Sequence, residues 1–324
     1  MNLGERISGP ESPEVSRIQN NLAETLRVQG RLDEAQQLLV ISLAIVERQK
    51  GASHPLVAVG LTNLAEIARM RGKYLQAQSL LERAITINRE ALGPEHLDLA
   101  IQQHNLAVLY NFNGNYAKAQ SLCQQALAIR QNQLGIDHPQ VANVLNSLAG
   151  IYQAQGKYAE AEPLYQRALA IQEKRLGANH VSVAVTLNGL AALYMAMGSY
   201  DRARILNDRA LKIVKNSPDE YDRSVAAIVL NSLARCLSAL GKSEHVEDFQ
   251  LRALAILEKK YGPDHPEVAS TLGSLAETYR QQRKFRRLPG PRPRAVCSVT
   301  KCQLVAVANS GRWQRNRWAS ADAA

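Results

Sequence analysis

The stretch Leu145-Asn146-Ser147-Leu148-Ala149-Gly150-Ile151-Tyr152-Gln153-Ala154-Gln155-Gly156-Lys157-Tyr158-Ala159-Glu160-Ala161-Glu162-Pro163-Leu164-Tyr165-Gln166-Arg167-Ala168-Leu169-Ala170-Ile171 decides the fold. Just upstream of it and through its first half, Val141, Val144, Leu145, Leu148, Ile151 and Tyr152 step by three and four, which predicts one amphipathic helix, A. Gly156 supplies the permissive backbone of a tight turn. Tyr158, Ala161, Leu164, Tyr165, Ala168 and Ile171 then step the same way through a second, longer helix, B. Leu176-Gly177 ends it as a C-terminal cap, and a proline at the next helix start, as at Pro55, Pro139 and Pro266, suits a first turn.

The same phrase returns along the chain. His54, His96, His138 and His180 follow one another at intervals of 42 residues, and His265 comes 85 residues later, one more than two periods. The surplus residue is assigned to the loop from Lys215 to Tyr221, the one junction without the usual Leu-Gly and His-Pro words. Gly30, Gly72, Gly114, Gly156, Gly198 and Gly241 keep the register, as do Ala23, Ala65, Ala107, Ala149, Ala191 and Ala234. Tyr110, Tyr152, Tyr194 and Tyr279 share one further column and Tyr74, Tyr116, Tyr158 and Tyr200 another, positions of packing rather than chemistry. Helix, turn, helix at a fixed period predicts an all-α fold: a right-handed superhelical solenoid of antiparallel helix pairs, each burying its apolar face against its neighbours. Six full repeats and a half repeat are expected over 13–288. Residues 1–12 read as the remnant of a preceding repeat, with Ser12 in the histidine column. Arg283 falls in the glycine column, and Pro289, Pro291 and Pro293 forbid a further helix B, so 289–324 is expected to be a basic, disordered tail. Its abrupt start also raises a frameshifted gene end as an origin.

Composition restricts function. The chain is 46% hydrophobic and 21% charged, with 19 Gly and 12 Pro among 324 residues, as expected of a chain able to bury a core. The formal charge of +10 is misleading as a sign of a polyanion partner. From Arg283 onward there are ten Lys/Arg and one acid, Asp322, so nearly all of the excess lies at the end and the body is neutral. Nucleic-acid association therefore rests on the tail alone, where Trp313 and Trp318 are available to stack on bases, and is not favoured. Cys123, Cys236, Cys297 and Cys302 are too few and scattered for a disulfide framework. With no apolar run of membrane length and no signal-peptide pattern at Met1 to Ser12, the expected location is cytoplasmic.

The quoted pattern resembles a tetratricopeptide repeat. Its 42-residue step and Leu-Gly-x-x-His-Pro junction resemble the long form found in kinesin light chains and in many bacterial repeat proteins, over roughly 13–288. The heptad coiled coil by which a kinesin light chain joins its heavy chain has no counterpart here, so a motor role is not expected. The resemblance implies a concave groove for extended peptides, lined by side chains just before and within the Leu-Ala words.

One such column reads Asn20, Thr62, His104, Asn146, Asn188, Asn231, Gly273 and the next Asn21, Asn63, Asn105, Ser147, Gly189, Ser232, Ser274. An amide donates and accepts together, so an asparagine ladder satisfies the backbone of an extended peptide whatever its sequence. The competing reading is that these amides tie adjacent helices together. Arg27, Arg69, Asn111 and Gln153 are expected to flank the groove and select charge, with Glu24, Glu66 and Glu277 making that charge mixed. The carboxylate clamp of chaperone-binding relatives is incomplete, so chaperone tails are not favoured.

No catalytic, metal or cofactor site is expected. Histidines one repeat apart are separated by a whole helix pair and cannot converge on one ion, and no phosphate loop, nucleophile elbow or His-Glu-x-x-His word is present. The leading expectation is a non-enzymatic adaptor for a protein or peptide partner. Alternatives are the repeat segment of a larger signalling or enzymatic protein, and self-association through the apolar end that an unfinished repeat leaves.

Overall fold

The structure, a computed structural model, describes residues 13–215, 220–242 and 244–281. The expected remnant at 1–12, most of the loop carrying the surplus residue and the tail at 289–324 lie outside the described residues. Among the described residues there are thirteen helices and no strand: α1 (Pro13–Val28), α2 (Leu32–Lys50), α3 (Pro55–Met70), α4 (Tyr74–Leu92), α5 (Leu97–Phe112), α6 (Tyr116–Leu134), α7 (Pro139–Ala154), α8 (Tyr158–Leu176), α9 (Val181–Ala196), α10 (Tyr200–Val214), α11 (Glu220–Ala239), α12 (Val246–Tyr261) and α13 (Pro266–Gln281). Odd-numbered helices are the A helices and even-numbered ones the B helices, and each packs chiefly on its neighbours in sequence.

The columns explain where helices start and stop. At His54, His96, His138, His180 and His265 the imidazole Nδ1 accepts the backbone N–H two residues on, at 3.1–3.2 Å, satisfying one of the orphan donors of the following A helix. The column that invited a metal reading is thus a column of N-caps. His138→Ala should cost about 1 kcal/mol in urea unfolding, whereas His138→Asn, which caps equally well, should leave stability within a few tenths. At the other end of the B helices Gly51, Gly93, Gly135, Gly177 and Gly262 hold φ of 81–91°, a left-handed cap that favours glycine. Where the column histidine is missing, α11 begins earlier than its fellows and runs 20 residues, against 16 for α7 or α9.

Burial follows the pair logic. Val141, Ala142, Leu145, Ala168 and Ile171 close one cluster within a repeat, and Ala149, Ala161, Tyr165, Leu190 and Leu193 close the next across a boundary. Each buried Leu, Ile or Val contributes roughly 1.5–3 kcal/mol, while the alanines let the helix axes approach. The expected tyrosine column ties α5, α7, α9 and α13 each to the preceding B helix. Tyr194 donates to Glu162 at 2.7 Å and Tyr279 to Glu247 at 3.2 Å, and Gln120 donates to Tyr152 at 3.4 Å.

The A helices also meet one another: α1 packs on α3, α5 on α7, α7 on α9 and α9 on α11, with no comparable packing between successive B helices among the described residues. Gln102 to Thr62 at 3.3 Å joins α5 to α3, and Asn231 to Thr271 at 2.8 Å joins α11 to α13. The closer-set helices of a curved solenoid form its inner wall, so A helices line the concave side.

Candidate functional site

Within α7 the residues Asn143, Asn146, Gly150 and Gln153 are spaced three, four and three apart, which stacks them on one face of the helix. Their counterparts are Ile101, His104, Val108 and Asn111 on α5 and Val185, Asn188, Ala192 and Met195 on α9. Each keeps part of its surface in solvent, though the His104 ring and the Oδ1 of Asn111, Asn146 and Asn188 are turned inward, whereas Val141, Leu145 and Leu148 on the opposite side of α7 are buried. This stripe, repeated on each A helix, is the surface of the inner wall.

The first candidate column divides into engaged and unengaged members. Asn20 donates from Nδ2 to the Ser16 carbonyl and to Ser42 Oγ, both at 3.0 Å, and so ties α1 to α2. Thr62 donates to the Ala58 carbonyl at 2.7 Å and accepts from Gln102. His104 Nε2 lies 2.8 Å from Ser147 Oγ, linking α5 to α7, and Asn231 is spent on Thr271. Asn146 and Asn188, on adjacent helices in the middle of the wall, have no side-chain hydrogen bond, and the Oδ1 of each is enclosed without a partner. The Oδ1 of Asn20 and of Asn231 is enclosed without a partner too, at a cost of about 1–3 kcal/mol each, so what sets Asn146 and Asn188 apart is that their Nδ2 donors are also uncommitted among the described residues. Asn63 and Asn105 are half-buried, and Asn111 Oδ1 is likewise enclosed without a partner. Gln153 accepts the Tyr165 hydroxyl proton at 3.1 Å.

The arginines expected to select charge are already neutralised. Glu24 grips Arg27 at 2.5 and 2.7 Å, and Glu66 grips Arg69 at 2.6 and 2.8 Å, in two-point contacts within one helix turn. Hydrogen bonding to Arg27 holds the Glu24 carboxyl below its ordinary range, and Glu66 raises Arg69 above the usual guanidinium value. Arg280 and Glu277 repeat the pairing at the far end. On α5, α7 and α9 the corresponding positions are Val108 and Asn111, Gly150 and Gln153, Ala192 and Met195, and charge returns on α11 with the exposed Arg235 beside Ser238, so the stripe is uncharged at these positions from α5 to α9.

Three features of the wall escaped the reading of the sequence. Val59, Ile101 and Ile228, 38%, 37% and 46% exposed, form with Val185 an apolar rail beside the amide column, interrupted at Asn143. Tyr165, though on helix B, reaches the wall from behind: a Cβ placed on Gly189 would lie 2.7 Å from its ring, and one on Gly150 would lie 3.5 Å from its hydroxyl. The signal was present, since glycine at 189 interrupts a column otherwise of Asn and Ser, but a column reads side chains and not the space their absence leaves. Third, Arg130 on α6 is 5% exposed, donates to the Gln140 carbonyl at 3.0 Å and has no carboxylate in ion-pair reach among the described residues. Burial pulls its pKa down from the usual value. Burial and the charge of Arg130 together push His104 down to about 3, so that imidazole is neutral at neutral pH.

Burial pushes the Cys123 thiol up to about 12, which keeps it protonated, and no group of three metal-binding side chains forms among the described residues. No helix of the described residues is long and apolar enough to cross a membrane. What the wall offers is hydrogen-bonding amides, an apolar rail and a neutral middle.

The tetratricopeptide repeat family model matches the chain in six overlapping segments that together run from residue 14 to residue 287. No curated protein matches it. Among solved structures, a Podosopora anserina protein described as a kinesin light chain, with nearly identical TPR-like repeats, is 31% identical, covering 64% of this chain and 99% of that one at a TM-score of 0.52. BtubC from P. vanneervenii is 22% identical over 86% of this chain and 95% of its own, at 0.50. The quorum sensor NprR, whose apo form is from B. thuringiensis, was also solved with its cognate peptide NprX; that complex is 12% identical over 91% of this chain and 78% of its own, at 0.67. The last two likenesses are of fold alone.

Proposed function

The chain belongs to the tetratricopeptide repeat family, and from that premise we propose that it is a non-enzymatic scaffold that holds an extended segment of a partner protein against its inner wall, centred on α7 and α9. The observation that carries this reading is the pair of unengaged amides at Asn146 and Asn188 on adjacent helices. Each amide has its Nδ2 donors uncommitted for the carbonyls of a peptide backbone, and a turn of the side chain that brings the enclosed Oδ1 outward adds the acceptor that an extended chain needs at successive residues. The rail of Ile101, Val185 and Ile228 beside them suits aliphatic side chains, and the uncharged middle of the stripe favours a ligand segment without charge where it crosses α7 and α9. That NprR has been solved with a bound peptide supports the same use of this fold. We place the protein in the cytoplasm, a setting that suits the free, buried thiols Cys123 and Cys236.

Affinity is expected in the micromolar range, about 8 kcal/mol. Peptides selected from a random library on the wild-type array provide the probe. Asn146→Ala with Asn188→Ala should weaken them by about 2 kcal/mol, roughly 30-fold, with helicity unchanged. Unchanged affinity would place the site elsewhere.

A further inference from the structure

The solenoid curves far enough for its last described repeat to meet its second. A Cβ on Gly72, in the turn between α3 and α4, would lie 3.3 Å from both Cδ and Cγ of Pro266 at the start of α13. One on Gly30, in the preceding turn, would lie 3.6 Å from the Lys260 carbonyl oxygen. At Gly114, Gly156, Gly198 and Gly241, the same turn of later repeats, nothing lies within 4 Å. The contact is therefore a closure and not a feature of every turn.

His265 carries the same mark. It caps α13 as the other column histidines cap their helices, yet it alone is buried, at 9% exposure, while His54 and His138 are half-exposed and His96 and His180 open. Its ring also lies beside the Met70 backbone at the end of α3 and stacks on Tyr261 with centroids 4.4 Å apart at 18°. Arg69, chelated by Glu66, exerts its charge on both His265 and Glu267, and Glu267 in turn acts on Tyr74. The apolar clusters stop on either side: one runs through α11–α13 and others through α1–α7, and none contains residues from both faces of the contact.

We propose that the α12–α13 junction is a latch on the α3–α4 turn, closing the array into a ring, and that it releases as a unit while every repeat stays folded, widening the inner wall. Across it lie a proline against a glycine, the His265 ring beside the Met70 backbone and the charge of Arg69, whereas each repeat boundary is held by buried apolar surface, so the latch is the first interface to give way. This goes beyond the peptide reading and does not rest on it.

The test uses two glycines of nearly equal backbone geometry, Gly72 at φ 70° and Gly114 at φ 73°. Asparagine tolerates that region better than other side chains, so Gly72→Asn and Gly114→Asn carry the same turn strain, but only the first collides across the closure. Gly72→Asn should show a larger radius of gyration by small-angle scattering with unchanged helicity, and the His265 imidazole, held low by burial, should titrate nearer to about 6.5 by NMR. Gly114→Asn should change neither. Should Gly72→Asn fail to fold, His265→Asn keeps the cap, removes the ring that lies beside Met70 and should give the same expansion. In wild-type protein, mild urea should enlarge the particle before helicity falls. An unchanged radius in the latch variants, or expansion that coincides with loss of helicity, would overturn the proposal.

Discussion

Gly189→Ala is expected to destabilise the array by about 1–3 kcal/mol, although alanine in place of a mid-helix glycine ordinarily stabilises by up to about 1 kcal/mol. The new methyl would sit 2.7 Å from Cε1 and 3.2 Å from Cζ of Tyr165. Those are ring atoms of a buried side chain, and the ring cannot retreat without giving up its bond to Gln153 and its packing on Leu190 and Leu193. The sign should reverse in the background Tyr165→Leu, leucine being the residue of the same column at Leu39 and Leu81. There Gly189→Ala should recover its helix-propensity gain. Gly150→Ala, whose Cβ would meet the Tyr165 hydroxyl at an ordinary 3.5 Å, should be neutral or stabilising even in the wild-type background. Urea unfolding of the four members of the cycle measures the coupling; additive effects would mean that the ring does not fill the space glycine leaves.

Acidification should weaken the array through His104. In the unfolded chain this imidazole takes up a proton below about pH 6.5, whereas in the folded chain burial and Arg130 hold it neutral down to about 3. Between those values the unfolded state binds more protons, so stability falls as pH falls. The contribution is whole above pH 6.5, and about 2 kcal/mol of it is gone by pH 5. His104→Asn supplies the residue found at Asn146 and Asn188 and removes the titrating group. Relative to wild type, the variant should lose about 2 kcal/mol less between pH 7 and pH 5 in urea unfolding. An identical pH dependence would mean that His104 protonates without penalty in the folded state.

The fold was legible because a solenoid repeats its instructions. The His-Pro junction, the two glycine columns and the Leu-Ala words each state a local requirement, for an N-cap, a left-handed turn and close helix packing, and each is met where its column occurs. The candidate site was legible only in part. Position in a column placed Asn20, Asn146, Asn188 and Asn231 on the wall alike, but whether an amide is free depends on neighbours outside the column. Ser42 and Thr271 claim the Nδ2 of Asn20 and Asn231, and among the described residues no partner reaches either end of the Asn146 or Asn188 amide. Arg27 and Arg69 read as selectors of charge until Glu24 and Glu66, three residues earlier on each helix, were found closed on them. Tyr165 was hidden because it belongs to a B helix, and its presence on the wall depends on the space at Gly150 and Gly189.

The central claim is that ligand lies on the inner wall across α7 and α9. Methyl NMR of the wild-type array with a peptide selected on it tests this most directly. The account predicts that the methyl signals of Ile101, Val185 and Ile228 shift on binding while those of Leu75 and Ile205, exposed on B helices, stay in place. Shifts confined to Leu75 and Ile205, with the inner rail unmoved, would contradict it.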